Sequence, residues 1–202
     1  MIFTVTDARF VKRGYDTHMQ TFADANAVAR LIDDLGVRIR GDLTGAVGDA
    51  PLADTCAMVG IRSRGDVMAQ RLAAQLELPD DHVGSLDITL YRDDLSEVGP
   101  QPIVRTTEIP FAIDGLNIVL VDDVLMSGRS VRAAMQSLMD FGRPRRLWLA
   151  VLVDRGGREL PIQPDQVAVD MSNATTNNQQ VEVTLTPTDE RDAIIIQDWD
   201  GA

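Results

Sequence analysis

Two apolar periods alternate along this chain, and their alternation outlines its architecture. After a short alternating start, Ile2 to Val5, read as an edge strand, Ala27, Leu31, Leu35 and Ile39 recur at a four-residue step. That spacing predicts a helix over 26–40, with Gly41 as its stop and 45–54 as a loop. Ala57 to Ile61 is an unbroken apolar run, the pattern of a strand buried on both faces. The turn Arg62-Ser63-Arg64-Gly65 then leads into a helix over 66–76. Leu86 to Tyr91 alternates as a strand, and a polar, proline-containing stretch over 92–110 follows. Ile118 to Val121 reads as the central strand, followed by a helix over 131–141 that stops at Gly142 with Pro144 beyond. Leu147 to Val153 is a further buried strand. In the tail, a polar loop over 173–180 precedes Val181 to Leu185 and Ala193 to Ile196, which predict a hairpin.

Strands that alternate with helices specify an α/β protein, with a mostly parallel central sheet covered by helices on both faces. At 202 residues, with no repeat, low-complexity tract or break in composition, the chain reads as one domain over 1–202.

Charge sharpens the picture. The formal net charge is -12, and Lys12 is the only lysine, every other basic side chain being arginine. An Asp-rich, Lys-poor surface suits high salt, and a GC-rich genome would produce the same bias. So acidic a chain offers no broad electrostatic footprint for nucleic acid, whose binding rests on neutralised phosphates. Cys56 is the single cysteine, and His18 and His82 lie far apart, so neither an internal disulfide nor a His/Cys zinc site is expected. The first residues carry Asp7, Arg9, Lys12 and Arg13 with no unbroken apolar stretch, and no run is long enough to span a membrane. A soluble, cytoplasmic protein is the expectation.

The chemistry concentrates between Ile118 and Leu138, IVLVDDVLMSGRSVRAAMQSL. An apolar strand runs into Asp122 and Asp123, then into the loop Met126-Ser127-Gly128-Arg129-Ser130, which opens a helix. Open α/β sheets bind ligands at the carboxyl ends of their strands. The first turn of a helix leaves N–H groups unpaired and carries partial positive charge, so the loop suits a phosphate. A plain helix capped by Ser127 or Ser130 accounts for the loop taken alone. The adjacent aspartates shift the balance, because neighbouring carboxylates at a buried strand end are costly unless something binds them. Vicinal sugar hydroxyls would satisfy at least one. The ligand suggested is a phosphorylated ribose; no GK[ST] occurs, so this is not a Walker loop.

IVLVDDVLMSGRSVRAAM resembles the 5-phosphoribosyl-1-pyrophosphate (PRPP) motif of type I phosphoribosyltransferases. Three more segments, VGIRSRG (59–65), DITLYRDDLS (87–96) and GRPRRLWLAVLVDRGGRELPI (142–162), are similar to the PyrR family, regulators of pyrimidine operons that double as uracil phosphoribosyltransferases. The resemblance covers roughly 55–165; the segments 1–25 and 171–202 match poorly. It implies the type I phosphoribosyltransferase fold, with a small hood that includes the C-terminal hairpin. It implies transfer of the ribosyl group of PRPP to uracil, giving UMP and diphosphate, with magnesium carried on PRPP rather than in a protein cage. Asp122 and Asp123 would hold the ribose hydroxyls and the loop of Ser127, Gly128, Arg129 and Ser130 the 5-phosphate, with Val124 and Met126 also among the PRPP-binding positions. Ser63, Arg64 and Gly65 would form the pyrophosphate loop, with a non-proline cis bond. Arg92 and the segment to about Arg105 would form a closing flap, and Asp154, Arg155 and Gly156 would meet the uracil. Arg64, Arg92 and Asp123 are the catalytic candidates, and a homo-oligomer, a dimer or higher, is implied.

Several positions depart from the family pattern. Gly157 stands where His is common, Gln163 and Val169 replace basic residues, Arg62 replaces lysine and Met126 stands where Tyr is frequent. Gly157, Gln163 and Val169 remove phosphate contacts from the face that resembles an RNA-binding surface, so RNA is not carried over as a partner. Arg143, Arg145 and Arg146 are the remaining basic cluster, a candidate for a nucleic-acid or subunit contact, with a solvated helix end as the favoured reading. A regulator that binds UMP, UTP or PRPP without turnover, and an enzyme for another base, are the competing readings.

Overall fold

The computed structural model describes residues 6–12, 15–89, 106–176 and 178–198. The strand expected over 2–5, the end of the strand expected at Tyr91, and Arg92 with the flap to Arg105 lie outside the described residues.

Five parallel strands form the main sheet: β3 (Cys56–Ile61), β4 (Val83–Leu86), β5 (Asn117–Leu125), β6 (Arg146–Asp154) and β7 (Gln166–Asp170). Their order is β4-β3-β5-β6-β7, so β5 lies at the centre and shares its edges with β3 and β6. Every residue of β3 is buried, as its unbroken apolar run requires. Helices α1 (Ala25–Val47) and α3 (Gly65–Leu76) pack on one face, and α4 (Arg129–Met139) on the other. A single turn of helix, α2 (Leu52–Thr55), leads into β3.

The second sheet is antiparallel, in the order β1-β2-β9-β8, from β1 (Thr6–Lys12), β2 (Tyr15–Ala23), β8 (Gln179–Thr184) and β9 (Ala193–Asp198). The tail pairs as expected, β8 with β9. The N-terminal strands enlarge this hood, a pairing between chain ends that local pattern does not encode. Hood residues Val181, Val183 and Ile194 share one apolar cluster with Leu35, Met58 and Leu72, so the two sheets are joined by a continuous core.

Three expectations are corrected. The first helix does not stop at Gly41 but runs through Gly41 and Gly45 to Val47, closing at Gly48 with φ +63°. Burial of Leu43 extends its apolar stripe by a turn, which outweighs about 1 kcal/mol lost at each interior glycine. The strand expected over 86–91 lies earlier, at 83–86, because the Asp87 carboxylate accepts the Thr89 N–H at 2.8 Å and turns the chain. The central strand continues past Val121 through both aspartates. Among the described residues no helix is long and apolar enough to cross a membrane.

Candidate active site

The carboxyl ends of β3, β5 and β6 meet at one edge of the main sheet, where an open parallel sheet places its ligands. Glycines let the elements approach. A Cβ on Gly65 would sit 2.4 Å from the Val121 carbonyl oxygen, and one on Gly60 would sit 2.2 Å from that of Gly65. Only bare backbone lets the turn after β3 lie directly on β5, beside Asp122. The Arg62–Ser63 peptide in this turn is cis.

Asp122 is buried, and its Oδ1 accepts the Asp123 N–H at 3.1 Å; Asp123 Oδ1 accepts the Val124 N–H at 2.9 Å. Burial, reinforced by the neighbouring Asp123 charge, holds the Asp122 pKa well above the ordinary carboxylate value. Burial also raises Asp123, against the downward pull of the Val124 N–H and the Arg64 guanidinium. The cost falls on the charged forms of the two carboxyls, and hydroxyl donors or a cation would relieve it.

The loop after β5 is not closed by an ordinary side-chain cap. Gly128, at φ +89°, is the cap residue of α4, and no side chain caps the helix in the usual way. A long bond of 3.3 Å from the Arg129 N–H to Ser127 Oγ is the local substitute. The Ser127 carbonyl is anchored instead by the Glu159 and Leu160 N–H groups at 3.0 and 3.1 Å. The loop is thus tied back to the segment after β6, and the first turn of α4 keeps N–H groups without a side-chain cap, the kind of group an anion can meet.

A cavity of about 550 Å³ joins these parts. Asp122, Val124, Met126, Ser127, Gly128 and Ser130 line it from β5 and α4, and Arg155 lines it from the end of β6. Gln179, Gln180 and Val181 of the hood form the facing wall. These three had no signal in the sequence, because a polar loop and a short alternating strand reveal nothing about what they face. Ser63, Arg64, Gly65 and Asp123 lie beside the cavity rather than in its lining.

Two expected ligand groups are already engaged. The Arg155 guanidinium donates to the Gln179 carbonyl at 3.1 and 2.5 Å and to the Thr176 carbonyl at 3.2 Å, pinning the hood to β6. Asp154 pairs with Arg158 at 2.6 Å and accepts the Gly156 N–H at 2.9 Å. Arg129 points outward to Glu159 at 2.6 Å, with both side chains about half exposed. The basic cluster stands at the opposite end of β6, where Arg146 stacks on Trp148 with 3.6 Å from guanidinium carbon to ring centre. Gly157 adopts φ +80°, a conformation suited to glycine.

A parallel sheet, a buried acid pair at the carboxyl end of its central strand, a glycine-containing loop opening the next helix and a small hood are the architecture of the type I phosphoribosyltransferase fold. Known structures share this fold: the hypoxanthine phosphoribosyltransferase of Trypanosoma cruzi superposes with a TM-score of 0.61 at 17% identity, covering 88% of this chain and 96% of that one. Its complex with the product IMP gives 0.62 at 17% identity, covering 87% and 92%. The phosphoribosyl transferase domain model matches residues 20–188. A bifunctional protein PyrR of Thermus aquaticus is 51% identical over 149 residues, 72% of this chain and 81% of the relative. A PyrR of Deinococcus deserti is 50% identical over 151 residues, 73% and 80% of the two chains. The chain belongs to the phosphoribosyltransferase family and, within it, to the PyrR proteins.

Proposed function

We propose that this protein transfers the ribosyl 5-phosphate of PRPP to uracil, forming UMP and diphosphate, and that it regulates pyrimidine genes, as the resemblance to the PyrR family implies. The observation that carries the reading is the meeting of Asp122, the Ser127–Ser130 loop and the hood wall around one cavity sized for a nucleotide.

In this reading the open loop and the first amides of α4 bind the 5-phosphate, and Asp122 and Asp123 accept the ribose hydroxyls. Magnesium brought in on PRPP would neutralise the diphosphate as it leaves; the buried, mutually repelling carboxylates suit a cation delivered next to the ribose. Uracil N1 forms its bond to the anomeric carbon as the bond to the diphosphate oxygen breaks, and the N1 proton passes to solvent or to the diphosphate. Carboxylates beside the ring favour the oxocarbenium character of that step. Arg64 faces the departing diphosphate, and Arg155 with Gln179 and Gln180 walls the base end. Arg92 and its flap would exclude water from the reacting carbon.

Asp123→Asn tests this by uracil-dependent formation of UMP at low and high salt. The expected loss in turnover is about 100-fold or more, the scale of removing one preorganised electrostatic contact. Wild-type protein that binds UMP or PRPP but shows no turnover at either salt would leave a ligand-sensing regulator. Turnover with another base in place of uracil would overturn the base assignment alone.

A further inference from the structure

Arg64, the cap residue before helix α3, and Arg71, within it, lie seven residues apart, and each meets an aspartate of the hood turn between β8 and β9. Arg64, at the start of the helix, donates from Nε and Nη2 to Asp189 at 2.9 Å each, and Glu182 lies 3.9 Å from Nη2. Arg71, two turns along, pairs with Asp192 and donates to the Thr186 carbonyl at 2.8 Å. Both pairs fasten the hood to the same helix; only the first lies beside the acid pair, where Arg64 also feels the charge of Asp123.

The Asp189 carboxylate is itself held in place. Its Oδ2 accepts the Leu185 N–H at 2.8 Å, and its own N–H donates to the Leu185 carbonyl at 2.8 Å. The pair is a bidentate fork on a carboxylate tied to its own turn, the geometry that orients a guanidinium most narrowly. Among the described residues the Nη1 of Arg64 makes no hydrogen bond, so that edge of the fork remains to donate.

We propose that Asp189 is a positioning residue. It holds the Nε–Nη2 edge of Arg64 so that Nη1 is presented to the diphosphate of PRPP beside Asp123. Without that anchor, Arg64 is free to turn to Asp123 and Glu182, which removes a donor from the diphosphate and occupies an acid the ribose needs. Asp192 and Arg71 supply the docking alone. The inference rests on the phosphoribosyl transfer proposed above.

The test is calorimetric titration of the full chain with magnesium–PRPP and, separately, with UMP, which lacks the diphosphate. Asp189→Asn is expected to weaken PRPP about tenfold, within the range for coupled neighbours in an ion-pair network, and to leave UMP within about twofold. Asp192→Asn lowers the melting temperature but keeps both affinities. Arg64→Gln reproduces the PRPP loss, and adding Asp189→Asn to it costs nothing further. Equal weakening of both ligands, an additive loss in the double variant, or unchanged PRPP affinity in Asp189→Asn overturns the inference while leaving the transfer reading intact. Wild-type protein that binds neither ligand overturns both. Should Asp189→Asn fail to fold, Asp189→Glu, with its carboxylate one methylene farther out, is expected to weaken PRPP with UMP unchanged. Wild-type PRPP affinity in that variant also refutes the role.

Discussion

The two sheets build their halves of the site by opposite means. The main sheet supplies Asp122, Asp123 and the loop to Ser130 from nine consecutive residues, mounted on a strand that is buried up to the aspartates. The hood supplies Gln179, Gln180 and Val181 from the far end of the chain and is held in place by Arg155, Arg64 and Arg71, whose partners lie more than 20 residues away. The first half owes its geometry to backbone packing at atomic contact; the second owes its placement to a shared apolar core and long-range arginine contacts. A contact between backbones has no slack, whereas a side-chain strap can be cut singly and leave the fold standing.

Substitutions on each side probe that difference. Gly65→Ala should have the largest effect, because its Cβ would strike the Val121 carbonyl at 2.4 Å and force β5 and α3 apart. A cost of about 1–3 kcal/mol in denaturant unfolding is expected from overpacking, together with loss of PRPP binding. A variant as stable as the wild type would show that the turn after β3 is as compliant as the hood.

Asp122→Asn should separate stability from binding. A carboxylate whose folded pKa lies above its unfolded value favours the fold below the unfolded pKa, and that advantage is lost as pH rises through the folded one. As pH rises above the unfolded value the acid pair therefore burdens the empty protein, and at neutral pH the asparagine variant should melt about 2–4 °C higher while binding UMP more weakly. Ligand affinity should move the other way with pH, rising as the acids ionise. The hood carboxylates have the reverse sign: Arg64 holds Asp189, and Arg71 holds Asp192, below the ordinary value. Their contribution is present above the unfolded pKa and is lost as pH falls through the lowered one. Melting temperatures from pH 4 to 8 for the wild type and for Asp122→Asn distinguish the two.

Arg129→Ala should do least. Its ion pair with Glu159 is about half exposed, where such pairs contribute roughly 0–1 kcal/mol. UMP affinity within about twofold of wild type is expected, since the phosphate would be held by loop amides and hydroxyls; a loss of tenfold would return the Arg129 side chain to the phosphate site.

Most of the main sheet was legible because its signals are local. Val119, Leu120 and Val121 announce a buried strand, and Asp122, Asp123 and Gly128 announce what lies at its end, all within one strand–loop–helix unit. The strand at 166–170 escaped notice because it is short and half-buried, and the first helix outran Gly41 because burial of Leu43 outweighed local preference. Met126 and Gly128 announce a loop, but nothing near them in sequence tells that Gln179 stands opposite.

By itself the sequence determined the α/β class, the acid pair, the glycine–serine loop that opens α4 and, by resemblance, the family. These rest on period and adjacency, which a linear chain carries intact. Only the tertiary structure decided that the N-terminal strands join the hood, that Arg155 spends its guanidinium on the carbonyls of Thr176 and Gln179, and that Asp189 meets Arg64. Each of those is a contact between segments far apart in sequence, made when burial of a common core brings them together, and no local pattern of residues encodes the partner.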